Sequence, residues 1–189
     1  MYDETKKDDE DVGLAGSLLL AHPDLKDPNF AKSVVLMTAH EDEGSLGVVI
    51  NSDTGLKLGD VSEEFKNSGL GDVPLYVGGP VAQDQIILAG WKVDEDVGEF
   101  KLYFGLEPLV AQSKRETEDG LVLRAFKGYS GWGKDQLVGE LKDNAWVVSD
   151  MDGQAITELH GDSLWKHIIM EINPELGLMA MAPEELEDN

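Results

Sequence analysis

An α+β fold is predicted for this chain by three observations. Short apolar runs rich in Val, Ile and Leu follow one another in groups. Helical periodicity is confined to a few segments at irregular intervals. No internal repeat of fixed period is present. At 189 residues the chain is long enough to bury one core without covalent staples. The expected organisation is a disordered acidic tail over 1–12, one α+β domain over 13–180 and an acidic tail over 181–189.

The elements follow in order. Gly16–Ala21 (Gly-Ser-Leu-Leu-Leu-Ala) is a short buried strand stopped by His22-Pro23. A loop over Asp24–Ala31 leads to a second strand, Ser33–His40. Glu41-Asp42-Glu43-Gly44 is a polar turn, and Ser45–Asn51 a third strand, so the pair reads as an antiparallel hairpin. Leu58–Lys66 predicts a short helix. Pro74–Val77 is a strand running into Gly78-Gly79-Pro80. Gln85–Trp91 and the alternating Phe100–Phe104 are further strands. Glu107–Glu116 predicts a helix with Pro108 in its first turn, where a missing N–H is harmless.

Leu121–Lys127 is a strand and Gly128–Gly133 a glycine-rich loop. Lys134–Lys142 is an amphipathic helix with Leu137, Val138 and Leu141 at helical spacing. Ala145–Ser149 is a strand and Asp152-Gly153 a turn. Asp162–Ile172 is a helix capped by Asp162 or Ser163, with Leu164, Trp165, Ile168 and Ile169 inward. Asn173-Pro174 ends it, and a frayed tail is expected beyond.

Composition excludes several functions. There are no cysteines, which removes disulfides, thiolate nucleophiles and iron–sulfur ligation. No signal-peptide h-region and no run of roughly 18 apolar residues is present, so a cytoplasmic protein off the membrane is expected. The net charge is −23, from 38 acidic and 15 basic residues. Residues 1–11 contribute −4, and Glu184, Glu185, Glu187 and Asp188 another −4, so −15 belongs to the body. Such a surface repels a phosphate backbone, which disfavours direct nucleic-acid binding.

Motifs that carry chemistry are incomplete. Gly128-Tyr129-Ser130-Gly131-Trp132-Gly133-Lys134 matches the spacing of a phosphate-binding loop between a strand and a helix. The next position needs Ser or Thr to ligate Mg²⁺ but holds Asp135, and bulky Trp132 obstructs close phosphate approach. Gly78-Gly79-Pro80 offers backbone N–H groups to an anion, or serves as a strand-end bend needing positive φ. The G-x-S-x-G elbow fails at its last position, and Ser17, Ser33, Ser45 and Ser130 have no base visible in the sequence. His22, His40, His160 and His167 lack metal-ligand spacing, although His22 and His40 end neighbouring strands and can converge. Asp150-Met151-Asp152-Gly153 begins like a calcium loop without the later ligands. No catalytic residue, cofactor or metal is therefore expected.

The combination of segments is more specific than any one of them. Leu19-Leu20-Ala21-His22-Pro23, Asp27-Pro28-Asn29-Phe30, Ser33-Val34-Val35-Leu36 and Gly44–Asn51 are followed by Val77-Gly78-Gly79-Pro80-Val81. Gly128–Gly133, Gln136-Leu137 and Trp146-Val147-Val148 complete the series. In that order, over roughly residues 14–172, they resemble the AlgH/YqgE family. The resemblance implies a mixed, mostly antiparallel, bent sheet forming a pseudo-barrel with flanking helices, in a bacterial cytosolic protein. It also implies a label, transcriptional regulator of alginate synthesis, that carries no mechanism. Family members often show Asn-Arg-Pro where this chain has Asn51-Ser52-Asp53, and Pro where it has Lys134.

Two functional expectations follow. One is a non-enzymatic regulatory or binding protein acting through protein partners or a small ligand rather than by DNA contact. The other is an enzyme or ligand-binding domain whose pocket gathers His22, Asn51, Gly78, Gly79, Pro80, Gly131 and Trp132, residues at strand ends and glycine loops. Nucleotide binding at Gly128–Lys134 ranks third. Edge strands allow self-association, but no feature specifies an oligomer.

Overall fold

The computed structural model describes residues 14–94 and 96–182. The predicted tail over 1–12, and the part of the C-terminal tail from 183 onward, lie outside the described residues. The chain runs β1 (Leu18–Ala21), β2 (Val34–Glu41), β3 (Gly44–Val49), β4 (Asp53–Lys57), α1 (Leu58–Val61), α2 (Glu63–Lys66), β5 (Pro74–Val77), β6 (Val81–Asp94) and β7 (Glu99–Phe104). It continues through α3 (Pro108–Thr117), β8 (Val122–Gly133), α4 (Gln136–Lys142), β9 (Trp146–Ser149), α5 (Gly153–Glu158), α6 (Gly161–Ile172) and α7 (Pro174–Met181). The strands form one mixed sheet in the order β4-β5-β8-β3-β2-β1-β9, with β6 added against β8 and β7 against β6. Among the described residues only β5 and β8 run parallel. The fold is α+β and the sheet curls into a half-barrel, as the sequence and its family resemblance predict.

Period-2 geometry explains why β1 and the first half of β2, Val34–Met37, are apolar throughout. Leu18, Leu20, Val34 and Leu36 face a core built with α5 and α6, where Ile156, Leu164, Trp165, Ile168 and Ile169 are buried. Leu19, Ala21, Val35 and Met37 face the opposite core, with Trp132, Trp146 and Leu137 of α4. A third core holds Leu58, Leu70, Leu75, Leu88, Ala111 and Leu123. A slip of one residue in β1 exchanges two buried faces, so its register is tightly specified. The Trp165 indole N–H donates to the Ala21 carbonyl at 2.8 Å, tying α6 to the end of β1.

Five expectations change. Gly128–Gly133 is not a loop but the second half of β8. Its Ser130, Gly131, Trp132 and Gly133 pair with Gly47, Leu46, Ser45 and Gly44, so the ladder overrides the low strand propensity of glycine. β4 lacks apolar alternation and is bent by an irregularity between Asp53 and Leu56, which hides it in the sequence. The predicted helix at Leu58–Lys66 is two single turns, because Ser62 is extended and its hydroxyl caps the second. The chain after Pro174 forms α7, capped by the Asn173 side chain on the Glu175 and Leu176 N–H groups. The turn at Asp152-Gly153 opens α5, whose Ala155 N–H is accepted by Asp152. Among the described residues no helix is long and apolar enough to cross a membrane.

Candidate functional site

Gly78, Gly79 and Pro80 connect β5 to β6 and lie on the middle of β8. Gly78 donates its N–H to Lys127 and accepts from the Val49 N–H and the Ser130 hydroxyl. A Cβ on Gly78 meets the Gly128 carbonyl oxygen at 2.3 Å, and one on Gly79 meets the Tyr129 carbonyl group at 2.2 Å. Close backbone contact is thus the reason for glycine here. Gly128 has φ +71°, and a Cβ there lies 2.6 Å from the Val81 oxygen. At this point β8 leaves β5 and β6 and takes up β3. The junction is the seam that closes the half-barrel.

The residues singled out by sequence occupy different environments. Gly79 and Pro80 line a cavity of about 130 Å³ with Pro28, Asn29, Ser52 and Gln83. Asn51 is buried: its oxygen accepts from the Val34 N–H at 2.8 Å and its amide hydrogens go to the Lys32 and Gly161 carbonyls at 2.9 and 3.0 Å. It latches β2 to the start of α6. His22 is half-buried, accepts the Asp24 N–H through Nδ1, and lines a groove of about 610 Å³ with Trp146, Val147 and Leu176. Gly131 is exposed on β8.

Trp132 is buried in an aromatic group with Phe30 and Trp146, at centroid distances of 6.2 and 5.9 Å. Glu140 of α4 accepts both indole N–H groups, at 2.9 Å from Trp132 and 2.8 Å from Trp146.

His22 and His40 do not converge. Antiparallel pairing of β1 with β2 puts Leu18 opposite Leu36 and Leu20 opposite Val34, which sends the two histidines to opposite ends. His40 instead faces Ser45 across the hairpin, with Nδ1 to Oγ at 2.6 Å. The serine is 3 % exposed, so its oxygen is shielded from an incoming substrate. The pair borders a cleft of about 290 Å³ with Lys134, Glu41, Asp42, Glu43 and Asp135. Four carboxylates there oppose a bound polyphosphate, which weighs against the nucleotide reading.

Arg124, in the middle of β8, escaped the sequence reading. It is 2 % exposed and lies between the rings of Tyr76 and Trp91, at 4.8 and 4.7 Å from their centroids. Its guanidinium donates to the Ile50 carbonyl at 3.3 Å and the Ile156 carbonyl at 2.8 Å. Burial lowers its pKa, opposed by Tyr76 and by the charge of Asp53. Burial likewise raises the Tyr76 phenol above its ordinary value. The available signal was a charge on the Val122–Phe126 face of an otherwise apolar strand.

A curled mixed sheet closed by a Gly-Gly-Pro seam defines a class of small α+β proteins, and comparison gives that class a name. The AlgH-like family model, DUF179, matches residues 18–177. A UPF0301 protein of Streptomyces coelicolor is 33 % identical over 180 residues, covering 91 % of this chain and 93 % of that one. One from Nocardia farcinica is 36 % identical over 188 residues, covering 95 % and 87 %. The solution structure of the AlgH protein from Pseudomonas aeruginosa matches with a TM-score of 0.65 at 25 % identity, over 94 % of this chain and 98 % of that one. The crystal structure of protein DIP2367 from Corynebacterium diphtheriae shares the fold at a TM-score of 0.68 and 24 % identity, over 88 % and 91 %. The chain belongs to the AlgH-like (UPF0301) family.

Proposed function

We propose that this chain is a cytoplasmic, non-enzymatic regulatory or binding protein that works through protein partners or a small ligand. Any effect on transcription is then exerted without direct contact to DNA. One observation supports the reading most. The sequence has two arginines, and both guanidinium groups are engaged within the fold. Arg124 is interior, and Arg115 is forked onto Asp72 and bonded to the Gly69 carbonyl. The remaining basic groups are lysines on a body of charge −15, a poor complement to a phosphate backbone. Affinity purification from the native cell, followed by titration of the purified chain with the recovered protein, tests it. A saturable complex supports the reading. Recovery of no protein that rebinds, together with turnover of a small molecule, overturns it.

A second reading rests on the cavity at the seam, which Gly79 and Pro80 line with Pro28, Asn29, Ser52 and Gln83. Its 130 Å³ lies below the roughly 300–1,000 Å³ of drug-sized sites, so a small anion or fragment is the fitting class. Thermal shift against a metabolite panel tests it, since a ligand at about 100 times its Kd adds roughly 2.7 kcal/mol. Silence across small anions removes it.

A further inference from the structure

We propose that Asp152, His167 and Glu171 form a binding site for one divalent transition-metal ion, with zinc as the fitting class. One donor atom from each residue lies within 4.8 Å of the others. His167 and Glu171 are one turn apart on α6, and Nε2 sits 3.6 Å from Oε1. Ligands at about 2.1 Å from a tetrahedral zinc are separated by roughly 3.4 Å, so this pair is already at chelating distance. The third arm comes from a different element. Asp152 is the N-cap of α5, and its Oδ1 is held by the Ala155 N–H at 2.9 Å. That bond fixes the carboxyl group and leaves Oδ2 for a ligand.

An isolated His–Glu pair on a helix is ordinary. Here two carboxylates converge on one imidazole, and among the described residues neither pairs with a lysine or arginine. A cation between them relieves their mutual repulsion. A mixed imidazole and carboxylate donor set suits zinc and its neighbours better than magnesium, which prefers oxygen alone. His167 and Glu171 are exposed, so the ion can enter and the side chains can close the last fraction of an ångström. Bound metal joins the start of α5 to the second half of α6.

The test is calorimetric titration of the chelator-washed protein with zinc chloride, alongside magnesium chloride. The expected result is one zinc bound per chain, with the His167 ring resonances shifting by NMR. Affinity should fall at least roughly tenfold in H167A and in D152N. The asparagine keeps the cap, so D152N separates ligand loss from misfolding. E171Q gives the same comparison if H167A does not fold. H160A, at an exposed histidine outside the cluster, should bind as the wild type does. Absence of zinc binding overturns the proposal. So does zinc binding that survives H167A and E171Q, or magnesium binding equally well without regard to His167, because both describe diffuse attraction to an acidic surface.

Discussion

Replacing Arg124 with methionine examines the interior of this fold. The substitution keeps length and removes the charge and both donors. Two carbonyls, of Ile50 and Ile156, lose a charged partner; bonds of this type contribute about 1.5–3 kcal/mol each. The contacts over Tyr76 and Trp91 add about 2 kcal/mol in a desolvated setting. Against this, burying a cation costs several kcal/mol, and methionine recovers that. The balance is a net loss of about 3 kcal/mol. In urea, with a slope of about 2 kcal/mol per molar, the midpoint falls by roughly 1.5 M with the slope unchanged. R124K should be at least as damaging: a lysine cannot fork to two carbonyls and is more strongly hydrated. The refuting result is R124M as stable as the wild type. The guanidinium would then not stabilise the fold, and the clasp between β8, Ile50 and α5 would be incidental.

The remaining predictions use the same assay. E140A, which orphans the indole N–H groups of Trp132 and Trp146, should cost about 2–4 kcal/mol and flatten the near-UV tryptophan dichroism; E140Q, which keeps an acceptor oxygen, should cost less. G79A, whose Cβ meets the Tyr129 backbone at 2.2 Å, should lose about 3 kcal/mol or fail to fold. G139A, with open space inside α4, should gain about 0.5–1 kcal/mol from helix propensity. The Arg115 guanidinium holds the Asp72 carboxyl below its ordinary value, so its contribution is present above the unfolded-state value and lost as pH falls through the lower folded-state one. D72N should therefore cost up to about 1 kcal/mol at pH 7, because the pair is partly exposed. The gap between wild type and D72N should close in urea melts as the pH is lowered below the ordinary aspartate value of about 3.9.

What could be read from sequence was governed by how each residue's environment is encoded. β1, β2 and β3 were legible because burial demands apolar runs, and α6 because Leu164, Trp165, Ile168 and Ile169 recur at helical spacing. The second half of β8 was not, because its glycines serve contacts with residues 44–47 and 78–81 that are remote in sequence. For the same reason the core packing of Trp132 and the bonds of Asn51 to main-chain groups of Lys32, Val34 and Gly161 are not visible in the sequence. Arg124 was missed because its partners are main-chain carbonyls 74 and 32 residues away, and no pattern in sequence marks a carbonyl. Asp152, His167 and Glu171 come together only once α5 folds beside α6. The Gly-Gly-Pro seam was found as a motif, while its role as a backbone crossing required the packing of β8.

The central functional claim is that this AlgH-like chain acts without gripping DNA. Fluorescence anisotropy of the purified protein against a pool of labelled genomic fragments, at physiological salt, addresses it most directly. No saturable binding is expected below the roughly 10⁻⁶–10⁻⁴ M range of non-specific contact. Saturable binding to particular fragments in the roughly 10⁻¹¹–10⁻⁸ M range of specific recognition would contradict it.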